Sequence, residues 1–213
     1  MKLKAGISAI CLLALGCAFA AVPAFADPEY SVIYDNSGPG SYTTNAWSIF
    51  GSGVGAYTAT NSFTLYGGEV IDGANFYAWF YPGDSLTSVD WSISSTAFGT
   101  PIASGTSVAG PNTQVATAFG YYSVLEETIL IPFVSLPAGT YWLQLSNAQD
   151  AYDTSVWWDE SDGSSTAYES GSLAPIPSET FQILATPEPS SFLLMGLGML
   201  ALAGLATRGK LLA

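Results

Sequence analysis

Apolar residues run almost unbroken at the two ends of this chain and alternate with polar ones between. Residues 7–19 and 192–206 are nearly continuous hydrophobic stretches, whereas Ser88-Val89-Asp90-Trp91-Ser92-Ile93-Ser94 and Thr140-Tyr141-Trp142-Leu143-Gln144-Leu145 alternate with period two. Period two marks a strand with one face buried. Further strands are predicted over residues 30–34, 61–66, 70–81, 100–108, 115–124, 128–133, 155–158 and 180–184. Turn chemistry separates them at Pro82-Gly83-Asp84, Ala109-Gly110-Pro111-Asn112, Pro137-Ala138-Gly139 and Asp162-Gly163. Many short strands and no amphipathic helix predict an all-β domain over residues 27–185, an antiparallel β-sandwich or jelly roll.

The two apolar ends predict addresses rather than fold. Lys2 and Lys4 precede the first run, and Ala24-Phe25-Ala26 follows it with Pro23 just upstream. A charged n-region, an apolar h-region and an A-x-A site make residues 1–26 a secretory signal peptide, cut by signal peptidase after Ala26 with Ala24 at the other small position. The second run with its flanks is about seventeen residues, roughly 25 Å of helix, at the short end of a membrane span. Arg208 and Lys210 follow it and place that end in the cytoplasm. The expectation is an exported chain, anchored in a membrane by its C-terminal helix until processed.

Charge narrows the chemistry. The chain holds 4 Lys and Arg, 17 Asp and Glu and no His, a formal net charge of −13. All four cations lie in the terminal segments, so residues 27–185 carry carboxylates alone. Such a domain cannot neutralise phosphates, which excludes nucleic acid. A Ser-His-Asp or Cys-His system lacks its base. Cys11 and Cys17 both lie in the first apolar run, leaving the domain no disulfide and no soft metal ligand. With no cationic partner, the carboxylates also predict stability that rises as pH falls from about 7 toward 5.

Three candidate sites follow. The densest acidic segment, with Asp150, Asp153, Asp159 and Asp162, offers calcium an oxygen-rich loop, although its spacing is not that of an EF-hand and its composition favours a solvated polar loop. Trp157 and Trp158, with Tyr152 and Tyr168 nearby, offer a stacking face for a sugar ring; only one of two adjacent tryptophans in a strand can face inward. Glu126, Glu127 and Glu69 raise glycoside hydrolysis, which needs two facing carboxyl groups. Glu126 and Glu127 would project to opposite faces of a strand, so the expectation is a protein that is not an enzyme.

Pro187-Glu188-Pro189, a short Gly/Ala/Leu-rich helix and a basic tail together resemble the PEP-CTERM sorting signal of exported bacterial proteins, over residues 186–213. That resemblance implies recognition by an exosortase, a membrane transpeptidase, with Pro187, Glu188 and Pro189 as the motif, and a cell-surface or extracellular destination near exopolysaccharide. Residues 83–93, 136–143 and 176–181 resemble the β-sandwich ectodomains that accompany this signal. The likeness implies fold and location, and no activity. The expected roles are therefore structural or adhesive in an exopolysaccharide or biofilm setting, carbohydrate binding, and last a two-carboxylate glycosidase.

Overall fold

A computed structural model describes residues 30–38, 45–51, 56–172, 174–185 and 198–199. The signal peptide with Ala24 and Ala26, the Pro187-Glu188-Pro189 motif and all but two residues of the terminal apolar run lie outside these. No helix among the described residues is long and apolar enough to cross a membrane.

The described chain is all-β, with twelve strands: β1 (Ser31–Asp35), β2 (Ala46–Ser48), β3 (Thr58–Leu65), β4 (Glu69–Phe80), β5 (Leu86–Ser94), β6 (Pro101–Val108), β7 (Thr113–Ala118), β8 (Tyr122–Leu136), β9 (Gly139–Asp150), β10 (Trp157–Asp159), β11 (Ala167–Glu169) and β12 (Phe181–Ala185). They form two antiparallel sheets. The first has seven strands built around β4, which is twelve residues long. Along one edge it pairs with β12 over Ile71–Phe76 and with β10 over Ala78–Trp79; β8 runs the length of its other edge. β1, β2 and β7 extend this sheet from β12, β10 and β8. The second sheet has the order β11-β3-β9-β5-β6.

Alternation decides what lies between the sheets. Ile71, Ala74, Phe76, Ala78 and Phe80 of β4 face Phe63, Trp91, Ile93, Leu143 and Leu145 of the second sheet in one core. Each large apolar side chain fully buried there contributes about 1.5–3 kcal/mol. Trp158 is fully buried within this core, packed edge-on against Phe76 and Phe181, with its Nε1 donating to Thr180 O at 2.8 Å. A polar network closes one end. Asn36 Nδ2 donates to Ser178 Oγ and Glu179 O, and Asn61 Nδ2 also donates to Glu179 O.

The expected strands are present with shifted ends, β3 beginning at Thr58 and β10 at Trp157, while β2 and β11 lie where no strand was expected; the largest difference falls at β7 and β8. Residues 115–124 and 128–133 were expected as two strands broken at the glutamates. The chain instead turns at Phe119-Gly120-Tyr121 and runs unbroken through Glu126 and Glu127 as β8. Phe119 (φ 52°) and Gly120 (φ 67°) are both left-handed, as the primed turn closed by Tyr121 N donating to Ala118 O at 3.0 Å requires. Phe-Gly lacks the Asn or Asp that announces such a turn in sequence.

Candidate functional site

β10 separates the two adjacent tryptophans. Trp158 enters the core, while Trp157 lies half-buried on the outer face of the first sheet, in register with Trp79 of β4. Tyr152 stands apart on the β9–β10 connection, 69% exposed. The sugar-face residues expected from sequence are thus not brought together. Around Trp157 the structure gathers different rings. Tyr81 and Tyr122 meet it edge-on at centroid distances of 5.7 and 5.6 Å, and Tyr121 meets Tyr122 at 5.1 Å. Tyr122 stacks on Trp79 at 5.8 Å and 28°, and Phe119 packs edge-on against Trp79 at 5.5 Å.

Six rings, from β4 and the residue after it, the β7–β8 hairpin and β10, therefore gather on one outer face, with Trp79 buried beneath the others. Phe119 is 72% exposed and Tyr121 54%, so the hairpin tip holds rings into solvent. A bulky residue at positive φ costs energy that a local choice of asparagine or glycine would avoid. Here that strain aims Phe119 across Trp79. Tyr77, beside them, donates its hydroxyl to Glu126 Oε1 at 3.3 Å; burial and the Glu126 charge push the phenol up to about 12. The sequence signal for this face was the dispersed Tyr81, Phe119, Tyr121 and Tyr122, which only the hairpin register unites with Trp157.

The acidic candidates disperse. Asp150 is turned inward, its two oxygens accepting from Thr154 N, Thr154 Oγ1 and Ser155 N, and Thr154 Oγ1 also reaches Asp84 Oδ2. Burial opposes its ionised form, but these hydrogen bonds outweigh burial and hold its carboxyl below the usual range. Asp153 sits at φ 56° in the same turn. Asp159 lies on the aromatic face, fully buried, its Oδ1 accepting from Trp79 Nε1 at 2.5 Å while Oδ2 has no partner. Burial raises it to about 7. Asp162 is exposed near the polar network. Among the described residues no three acidic side chains come close enough to share a metal ion.

Glu126 and Glu127 project to opposite faces of β8. Glu126 meets Asn75 and Tyr77 outside, whereas Glu127 is sealed in the core with neither oxygen hydrogen-bonded. Burial pushes Glu127 up to about 8; the nearby Leu86 N–H opposes this but makes no hydrogen bond of normal geometry. Glu69 begins β4, opposite Leu136 and eight register positions from Glu126's partner Tyr77. Glu179 is a third buried carboxyl with unpartnered oxygens, raised well above its usual value by burial and then by the charges of Glu160, Asp159 and Glu169. Glu126, Glu127 and Glu69 are thus held apart, one on the outer face, one in the core and one at the start of β4.

The chain continues beyond the last strand into a recognisable segment. Residues 185–210 match the family model described as the PEP-CTERM protein-sorting motif. The chain carries a PEP-CTERM sorting signal. That motif implies an exported protein processed by an exosortase, and Pro187, Glu188 and Pro189 fall inside the matched span. The PEP-CTERM match begins at Ala185, the final residue of β12, so the sorting signal follows the β-domain with no spacer. A search of curated proteins found no match.

Proposed function

We propose that this PEP-CTERM protein is a surface or extracellular-matrix protein whose β-sandwich ectodomain, of jelly-roll kind, is an adhesive and non-catalytic module for neutral exopolysaccharide. The observation that carries this reading is the outer aromatic face formed by Trp79, Tyr81, Phe119, Tyr121, Tyr122 and Trp157. Aromatic rings pack against the apolar C–H faces of sugars, and tyrosine hydroxyls reach their rims. Charge supports the choice of a neutral partner. Residues 27–185 contain no cation, so an anionic polymer or an anionic lipid surface meets only repulsion. The dispersal of Glu69, Glu126 and Glu127 speaks for binding without hydrolysis.

Two measurements test the reading. In an exosortase-bearing host, the wild-type chain should leave the membrane fraction as a shortened species, and a triple substitution Pro187→Ala, Glu188→Ala, Pro189→Ala should leave it full-length there. Equal release of both would defeat the sorting assignment. In a sedimentation assay with insoluble neutral polysaccharide, Trp157→Ala with Tyr121→Ala should weaken binding about thirtyfold, since each stacked ring contributes on the order of 1 kcal/mol. Undiminished retention would remove the aromatic face from the account.

A further inference from the structure

The outer face of the second sheet is built on a different plan from the aromatic face. Register aligns its outward side chains in rows across the strands. Tyr168, Thr60, Gln144, Ser92 and Ser104 form one row over β11, β3, β9, β5 and β6. Thr58, Ser146, Asp90 and Thr106 form the next. Strand geometry spaces such a grid at about 4.8 Å across and about 6.7 Å along the strands. Over β9, β5 and β6 lies a shallow, open trough of about 380 Å³, in which Asp90, Ser92, Ser104, Thr106, Gln144 and Ser146 are joined by Trp91, Pro101 and Gly105. Trp142, in register with Ser94, stands against Tyr168 at 5.6 Å beside this trough.

The hydrogen bonding of these side chains is one-sided. Asp90 is fixed by Thr106 Oγ1 at 2.5 Å and Asn147 Nδ2 at 2.7 Å. Ser92, Ser104, Gln144 and Ser146 make no side-chain hydrogen bond to any other described residue. Three hydroxyls and a carboxamide, each both donor and acceptor, thus point into one concavity beside an aromatic pair. A ligand that satisfies them must itself carry closely spaced donors and acceptors and apolar C–H faces. It must also be uncharged or basic, because the only charge in the trough is a carboxylate. A peptide strand would seek a sheet edge or apolar pockets instead.

We infer that this trough is a second binding site, on the sheet opposite the aromatic face, for a neutral polysaccharide chain. Resting on the adhesive reading above, the second site makes the protein a bridge between two chains rather than a one-sided adhesin. Two sites on opposite sheets cannot both engage one straight chain, so occupancy of both cross-links.

The test uses the full chain in mild detergent, run in native gels cast with hydroxyethyl cellulose, galactomannan, laminarin or dextran, and mixed with the same polymers to follow turbidity. Gln144→Ala with Ser92→Ala removes trough donors, and Ser104→Arg fills the trough from exposed strand β6, where folding is least disturbed. Each trough variant should keep aromatic-face retardation, lose at least threefold in apparent affinity, and lose all polymer clouding. Combining either with Trp157→Ala and Tyr121→Ala should abolish retardation. Trough variants that retard and cloud like the wild type overturn the second site while leaving the adhesive reading standing. Retardation abolished by trough variants yet untouched by the aromatic ones would keep the trough and overturn the bridge and the aromatic site. No wild-type retardation in any gel overturns both.

Discussion

Glu127, Asp159 and Glu179 are carboxyl groups in places where a carboxylate is costly, and each keeps at least one oxygen without a hydrogen bond. Burial raises all three, Glu127 to about 8 and Asp159 to about 7. In the unfolded chain such groups titrate near 4. Their stabilising contribution is therefore complete below about pH 4 and is lost as pH climbs through 7 and 8, because the unfolded chain releases protons that the folded one must hold. Urea midpoints should accordingly rise from pH 8 to pH 5, and a flat or falling series would refute this. Glu127→Gln, neutral and of the same shape, should add about 2 kcal/mol or more at pH 8 and flatten part of the profile, since a tenfold change in proton affinity is worth about 1.4 kcal/mol. The direction was readable from a sequence with sixteen acids and no base between Asp27 and Ala185. The cause was not. Mutual repulsion was the expected source, whereas Glu127 is raised by burial in the core, which depends on which face of β8 it occupies.

Elements were legible where the pattern repeats and obscure where one residue decides. β5 and β9 announce themselves by alternation, and β4 by its long apolar run. β2 and β11 are three residues each, too short for any periodicity to register; β11 forms along the eight-residue β3, and β2 along β10, which is itself only three residues long. The β7–β8 hairpin was missed because its turn is Phe-Gly, and with it went the aromatic face, whose exposed rings sit on that turn. Gly120 has positive φ and open space around its Cα, so Gly120→Ala should cost about 1 kcal/mol from backbone strain alone. Gly163→Ala should cost more, because its new Cβ would lie 2.7 Å from the backbone oxygen of Asn36 inside the polar network. Thermal melts of the two variants check the order, and a larger loss for Gly120→Ala would contradict it.

At the scale of the whole molecule, sixteen carboxylates and no cation between Asp27 and Ala185 would invite calcium, yet the four aspartates expected to bind it are spread between an inward turn, the aromatic face and solvent. Melts in millimolar calcium and in EDTA should coincide within about 1 °C, whereas a micromolar site would add about 4 kcal/mol at a thousandfold excess. The route by which the chain leaves the domain also has a mechanical side. β12, whose last residue begins the sorting motif, lies between β1 and β4 and is paired along both edges, Ala185 with Ser31 on one side and Ile71 on the other. Ladder hydrogen bonds run perpendicular to their strands. A pull on the sorting segment is directed along β12 and strains both of its ladders in shear at once, where a strand at the sheet margin would peel away bond by bond. Under the proposed function, drag on a bound polymer would reach the sorting segment through a short strand clamped on both sides, and force spectroscopy should show a higher unfolding force for a pull along β12 than for one across it.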